Sequence, residues 1–345
     1  MKKISVCTRY SEMGASSRLR FFMYKKLLEQ NGISADFRYM LGKGYLKRLY
    51  VGKYTKFHAM YALAKRFLQL PFLRKDLLIE YELLPFIPEK IEQFFLKRRK
   101  YILSFDDAVW EKYRGNPRCE GKFERLAAGA EGVIAANDQL FDHLKKYNGN
   151  IIKIPTAIDL DKYTSVRAQE KYPVFTIVWI GTPVTYEECL LPFADMLKEL
   201  SEKVDFELLV IAQKELTPIE GVKMRCIDWS SEEEAYHLKR SHIGIMPLPE
   251  NDFMRGKSSY KLIQYLGAGL PCVASPVGEN NIVLQHGTTG FAASTPEEWI
   301  NAVIRLKDDE VLREQMSRNA SELAVEYSIQ KYAPVMAEFI KKCFA

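Results

Sequence analysis

The stretch GKSSYKLIQYLGAGLP (256–271) holds the densest chemistry in the chain. Gly256, Lys257 and Ser258 spell the G-K-S/T that opens a phosphate-binding helix, and Lys261 follows four residues after Lys257. A loop that wraps a triphosphate also needs a glycine five residues before Gly256, and Asn251 stands there, behind the rigid Pro247 and Pro249. The triphosphate reading falls. What remains is a helix start, capped by Ser258 or Ser259, with Arg255, Lys257 and Lys261 around its first turns. Lys257 and Lys261 at this spacing share a helix face and repel unless an anion lies between them, where the positive helix end adds its attraction. A diphosphate fits; simple exposure of Lys257 is the alternative.

Other residues at strand ends carry their own chemistry. Asp106 and Asp107 close the run YILSF (101–105). Adjacent carboxylates raise each other's pKa, which suits a proton acceptor, and capping of the next helix is the competing use. Glu82 closes a second run and is expected to face the ligand cleft. Gly14 allows close backbone approach before a serine-rich helix start, with Arg18 reaching inward and Arg20 outward. Gly181 and Thr182 open the corresponding turn of the second half, and Gly278 and Glu279 follow a later strand. Ile227 main-chain groups can read a base edge, with Trp229 either stacking beside it or packing in the core. No His or Cys spacing suggests a metal site, and none is expected.

The elements that must position these residues are short β-branched runs alternating with longer helical patterns, the sign of βα units and parallel sheets. Strands are expected at 4–8, 34–40, 77–80, 101–105, 132–136 and 151–155, then at 174–181, 206–212, 222–227, 242–248 and 271–275. A chain of 345 residues exceeds what one core normally serves. The polar stretch 160–173 reads as the linker. Two Rossmann-like domains follow, with ligands at the carboxyl ends of the strands in the cleft between them. No apolar run reaches membrane-spanning length. The opening MKKISVCTRYSEMG reads as a first strand rather than a signal peptide, and six scattered cysteines with no C-x-x-C fit a reduced, cytoplasmic protein. Charge is uneven: residues 1–165 carry 31 Lys+Arg against 18 Asp+Glu, and the remainder 19 against 26. Residues 37–75 contain ten basic residues, no acid and interleaved aromatics. That composition suits an anionic membrane surface, with a solvated basic face as the alternative. No nucleic-acid motif accompanies it, and nucleic acid is not expected as a partner.

The run KSSYKLIQYLGAGLPCVASPVGENNIVLQHGTTGF (257–291) resembles the C-terminal signature of the family 4 (group 1) glycosyltransferases, which have the GT-B fold. GASSRLR (14–20), NDQLFDHLKKY (137–147), IIKIPTAID (151–159) and WIGTP (179–183) agree in the family's order. The resemblance implies an acceptor-binding domain at 1–163, a nucleotide-sugar donor-binding domain at 164–328, and a C-terminal helix, 329–345, returning towards the first. It implies a retaining, metal-independent transferase without a cofactor, moving a sugar from a nucleoside diphosphate to a glycan. Combined with the basic stretch, it points to a membrane-associated acceptor, a lipid-linked oligosaccharide or a lipopolysaccharide or capsule precursor, and to a peripheral place on the inner face of the cell membrane. Lys257, Lys261, Asp106 and Asp107 are then the expected catalytic groups. Gly14, Arg18, Gly181, Thr182, Ile227, Trp229, Arg255, Ser258, Gln264, Gly278 and Glu279 are expected on the donor. The family's paired glutamates fall at Gly256 and Gln264, so Gln264 takes the ribose position, and Glu250, Asp252 or Glu279 stands in for the first glutamate. That loss supports the alternative, a non-catalytic membrane-surface or nucleic-acid binding protein on a degenerate GT-B fold.

Overall fold

A computed structural model of the chain describes residues 1–50, 56–167, 170–212 and 215–345. Lys53 and Tyr54 of the basic stretch, and Ala168 and Gln169 of the expected linker, lie outside the described residues. The chain divides into two compact units. The first comprises Met1–Ala157, Gly256–Ser258 and Ile329–Ala345; the second comprises Ile158–Arg255 and Ser259–Ser328.

Each unit is built on a six-stranded parallel sheet with helices beside it. The first sheet has the order β2-β1-β3-β4-β5-β6, formed by β1 (Lys2–Tyr10), β2 (Ile33–Leu41), β3 (Asp76–Glu80), β4 (Lys100–Phe105), β5 (Gly132–Ala135) and β6 (Ile151–Lys153). The second has the order β12-β11-β10-β7-β8-β9, formed by β7 (Thr176–Ile180), β8 (Glu207–Ala212), β9 (Met224–Asp228), β10 (Ile243–Met246), β11 (Cys272–Ala274) and β12 (Gly290–Ala292). All eleven strands expected from sequence form. The twelfth, β12, is only three residues long and follows a glycine-rich turn, so it leaves no apolar run to read.

The strands look uniformly apolar because both faces of each sheet are covered. Along β3, Leu77 and Ile79 enter one core while Leu78 enters the other; along β4, Leu103 and Ile102 divide in the same way. In the second unit Val178 and Ile180 face one core and Ile177 and Trp179 the other. That is the two-residue period of a strand. The helix Ile329–Cys343 completes the first unit, placing Met336, Phe339 and Ile340 with Ile4 and Val6.

The division between the units falls at Ile158, and the expected linker is not one. Its residues Leu160–Ser165 form a helix whose start is capped by Asp159, and Tyr163 and Tyr172 are buried in the second unit's core. A polar surface on these residues disguises two buried tyrosines. No helix of the described residues is long and apolar enough to cross a membrane.

Candidate functional site

In the first unit the carboxyl ends of β1, β3 and β4 bring together a set of buried acids. The Glu80 carboxylate accepts hydrogen bonds from the Arg9 backbone N–H at 2.6 Å and from the Ser17 hydroxyl at 2.5 Å. The Ser17 oxygen in turn accepts from the Tyr10 N–H at 2.9 Å. These bonds pin the loop after β1 to the end of β3. Gly14 is buried in that loop, and a Cβ there would fall 2.3 Å from the Tyr10 Cβ, so no larger residue fits. Arg18 bends back over the loop, its guanidinium 3.5 and 3.4 Å from the Glu12 and Met13 carbonyls. Arg20, expected to face outward, is 1% exposed. It donates to the Ile154 carbonyl at 2.6 Å and the Ser104 hydroxyl at 3.2 Å, so it braces β4 and β6 from within.

Asp106 is buried and Asp107 half-buried. Burial, with the Asp107 charge beside it, pushes the Asp106 carboxyl up to about 7, against the pull of Arg20. The Tyr81 hydroxyl donates to Asp106 Oδ1. Tyr81 has φ 60°, a left-handed conformation that a bulky side chain adopts only when its surroundings impose it. Capping does not explain the aspartates, since the short helical turn Val109–Tyr113 that follows has no side-chain cap. Sequence reasoning missed Tyr81, because nothing in LLIEYELL marks a strained backbone.

Glu82 does not face a ligand, contrary to the sequence expectation. Its side chain is fully buried and accepts from Arg9 Nη2 at 2.5 Å, the Tyr113 hydroxyl at 2.5 Å and Lys122 Nζ at 2.7 Å. Lys122 also meets Glu92 at 2.6 Å and donates to the Leu84 and Ile87 carbonyls. Glu82 is the hub of an internal ion network that holds the loop after β3. A lone Lys and Glu 40 residues apart give no sequence signal of pairing.

In the second unit the turn after β7 meets the helix Tyr260–Gly267. A Cβ on Gly181 would fall 2.3 Å from the buried Trp179 indole, so the turn closes directly on that ring. Thr182 caps the following turn, its hydroxyl accepting from Thr185 N–H at 3.2 Å, with the reciprocal bond at 2.9 Å. The Lys261 ammonium lies 5.1 Å from the centre of the same Trp179 ring. One indole is thus the floor for both the glycine turn and the lysine.

The helix itself departs from expectation. It starts at Tyr260, and neither serine caps it: Ser259 sits at φ 50° and its hydroxyl donates to Asn280 Oδ1 at 2.6 Å. Lys257 therefore precedes the helix, in the tripeptide that belongs to the first unit, and does not share a helix face with Lys261. Ser258 is half-buried beside it. Asn280 continues the network to the Ser275 carbonyl at 2.9 Å. Gly278 has φ +54°, and a Cβ there would lie 2.2 Å from the Arg255 carbonyl oxygen. The loop after β11 is thereby seated on the Arg255 backbone, and it buries Glu279 to 7% exposure. The Arg255 side chain instead points to solvent, paired with Glu250 at 2.8 Å and Asp252 at 3.4 Å. Those pairs occupy Glu250 and Asp252, leaving Glu279 as the buried acid among the three candidates.

Gln264 is buried and its amide meets the Tyr163 hydroxyl. Trp229 donates from Nε1 to Glu234 at 2.5 Å, and Glu234 also binds Lys162 at 2.6 Å. Its indole is half-buried and packs against the core, the second of the two uses expected. Ile227 lies half-buried on β9, at the sheet edge, paired with Ile211. Among the described residues, no group of three or more His, Cys, Asp or Glu side chains is placed to hold a metal ion.

Residues 174–309 match the family model described as Glycosyl transferases group 1. No curated protein matches the chain. Among solved structures, the chain is similar to the sucrose-phosphate synthase of Thermosynechococcus elongatus, with a TM-score of 0.71, 13% identity, and cover of 100% of this chain and 99% of that one. A glycosyltransferase from Rickettsia africae gives 0.70 at 13% identity, covering 99% of each chain. HepE of Anabaena, solved with UDP and glucose, gives 0.68 at 11%, covering 98% of this chain and 100% of that one. Similarity this broad at such low identity establishes the fold, which is GT-B.

Proposed function

We propose that this chain, which carries a group 1 glycosyltransferase domain on a GT-B fold, moves a sugar with retention from a nucleoside diphosphate to a membrane-associated glycan. The observation that carries this reading is the Lys261 ammonium over Trp179, beside the Gly181 turn and at the start of the helix Tyr260–Gly267. A cation, a close-approach turn and the positive end of a helix together form a seat for a diphosphate. The solved HepE complex with UDP supports a donor of that class.

In this reading Lys261 and the positive helix end stabilise the departing diphosphate as the C1–O bond breaks, and Lys257, just upstream, adds a second positive charge. The sugar passes through an oxocarbenium-like state. The leaving phosphate oxygen accepts the acceptor's proton on the same face, and the positive side chains take the role a metal would otherwise have on the diphosphate. Glu279 holds the donor sugar in place of the glutamate lost at Gly256, and Gln264 serves the ribose. On the acceptor side stand Asp106 and Asp107 and, three residues on, a recess of about 350 Å³ lined by Trp110, Tyr113, Phe123, Glu120, Glu124 and His143. Trp110 stacks on His143 there at 4.2 Å, an aromatic wall of the kind that suits a sugar face. The acceptor is a lipid-linked oligosaccharide, or a lipopolysaccharide or capsule precursor, met at the inner face of the cell membrane.

The substitution of both family glutamates favours a second reading, a binding protein that has lost catalysis. Calorimetric titration with UDP-, GDP- and ADP-sugars, followed by a donor hydrolysis assay, separates the two. Lys261→Ala is expected to lower turnover about 100-fold or more with the fold intact. Full activity in both Lys257→Ala and Lys261→Ala would overturn the assignment.

A further inference from the structure

The helix Lys56–Gln69 and the turn Leu70–Phe72 are apolar on two sides. Inward, Ala62 and Leu70 are buried and Phe67 packs into the core. Outward, Phe57 is 80% exposed and Tyr61, Leu68 and Phe72 are each 75% exposed, with Met60 beside them. Positions 57, 60, 61, 64 and 68 follow helical spacing, so they line one outer stripe, and Phe72 is exposed in the turn that follows. A stripe of large side chains in water is an unmet demand for a partner.

A second helix, Glu89–Leu96, extends this surface. Its Phe94 is 76% exposed and Ile91 is exposed beside it, while Glu92 and Leu96 turn inward. The two helices are bound to each other: Phe67 meets Phe95 edge-on at 6.2 Å, and the Arg99 guanidinium donates to the Phe95 and Leu70 carbonyls.

Cations cluster where both helices end. Arg74 and Lys75 follow the first helix, Lys97 and Arg98 follow the second, and all four are exposed. The Lys100 N–H donates to the Lys75 carbonyl at 2.9 Å, which brings the two basic segments side by side. The nearby acids are engaged elsewhere: Asp76 with Lys2, Glu89 with Arg125 and Glu92 with Lys122. The stretch 37–75 adds no acid.

We infer that the outer faces of these two helices form a docking surface for an anionic lipid bilayer. The apolar stripe enters the headgroup boundary, and Arg74, Lys75, Lys97 and Arg98 meet the lipid phosphates. The charge decides for lipid over a protein partner or a second copy of this chain, because a strongly cationic patch repels its own copy and matches an anionic surface. The inference rests on the reading of the acceptor as membrane-borne.

The test is flotation of the full chain with phosphatidylcholine vesicles, with and without phosphatidylglycerol. The wild type is expected to float with the anionic vesicles and to be released by salt. Replacing Arg74, Lys75, Lys97 and Arg98 with Gln removes the preference for anionic lipid, at roughly fivefold in partitioning for each charge. The variant Phe57→Ser, Leu68→Ser, Phe72→Ser loses binding to both vesicle types. Unchanged flotation in either variant, or equal binding of the wild type to neutral vesicles, would overturn the surface. So would a lipid-free dimer, seen by sedimentation, that the serine variant dissociates. Donor binding, measured by calorimetry without lipid, reports on the transferase reading separately: intact donor binding without flotation defeats this surface alone.

Discussion

Replacing Asp106 with Asn is expected to make the protein more stable at pH 8 and not at pH 4. The Asp106 carboxyl sits near 7 in the folded protein, against an ordinary 3.8, because burial and then the Asp107 charge disfavour its ionised form. A carboxyl raised in this way holds its proton more tightly folded than unfolded. Its contribution to stability is therefore fully present below about pH 4 and is lost as pH rises through about 7. Three pKa units at about 1.4 kcal/mol each set a ceiling of about 4 kcal/mol on that loss. Asn keeps an oxygen at Oδ1 to accept from the Tyr81 hydroxyl, so that hydrogen bond survives. Urea unfolding of both proteins at several pH values measures the difference. The advantage of Asp106→Asn should grow by up to about 4 kcal/mol between pH 4 and pH 8 while transferase activity falls, a trade of stability for function. A difference that is flat with pH, or a variant less stable at pH 8, would refute the reasoning.

Two other outcomes follow from the buried networks. Lys122→Met strands Glu82 and Glu92 without their shared cation and should cost about 3–5 kcal/mol in urea unfolding, with Glu92→Gln in the same chain restoring part of the loss. Gly278→Ala puts a Cβ 2.2 Å from the Arg255 carbonyl oxygen at φ +54°, and should cost at least about 1–3 kcal/mol and weaken donor affinity by calorimetry, since the loop it displaces carries Glu279.

The fold was legible because parallel strands buried on both faces read as continuous apolar runs, and eleven of them could be placed from local pattern alone. The ten-basic stretch and the lysines of GKSSYK were equally visible as composition. Much of the candidate site was not. Glu82 looked like a cleft acid until Arg9, Tyr113 and Lys122 closed on it, and Arg20 looked like a surface arginine until Ile154 and Ser104 received it. Arg255, expected at a phosphate, pairs with Glu250.

The sequence by itself determined two parallel αβ sheets, the positions of eleven strands and the family resemblance, since these depend on periodicity and short motifs within one element. Only the tertiary structure decided which charges are spent on one another, that the helix starts at Tyr260 rather than before it, and that Lys261 shares the Trp179 ring with Gly181. Those outcomes depend on contacts between residues far apart in the chain, for which local pattern carries no signal.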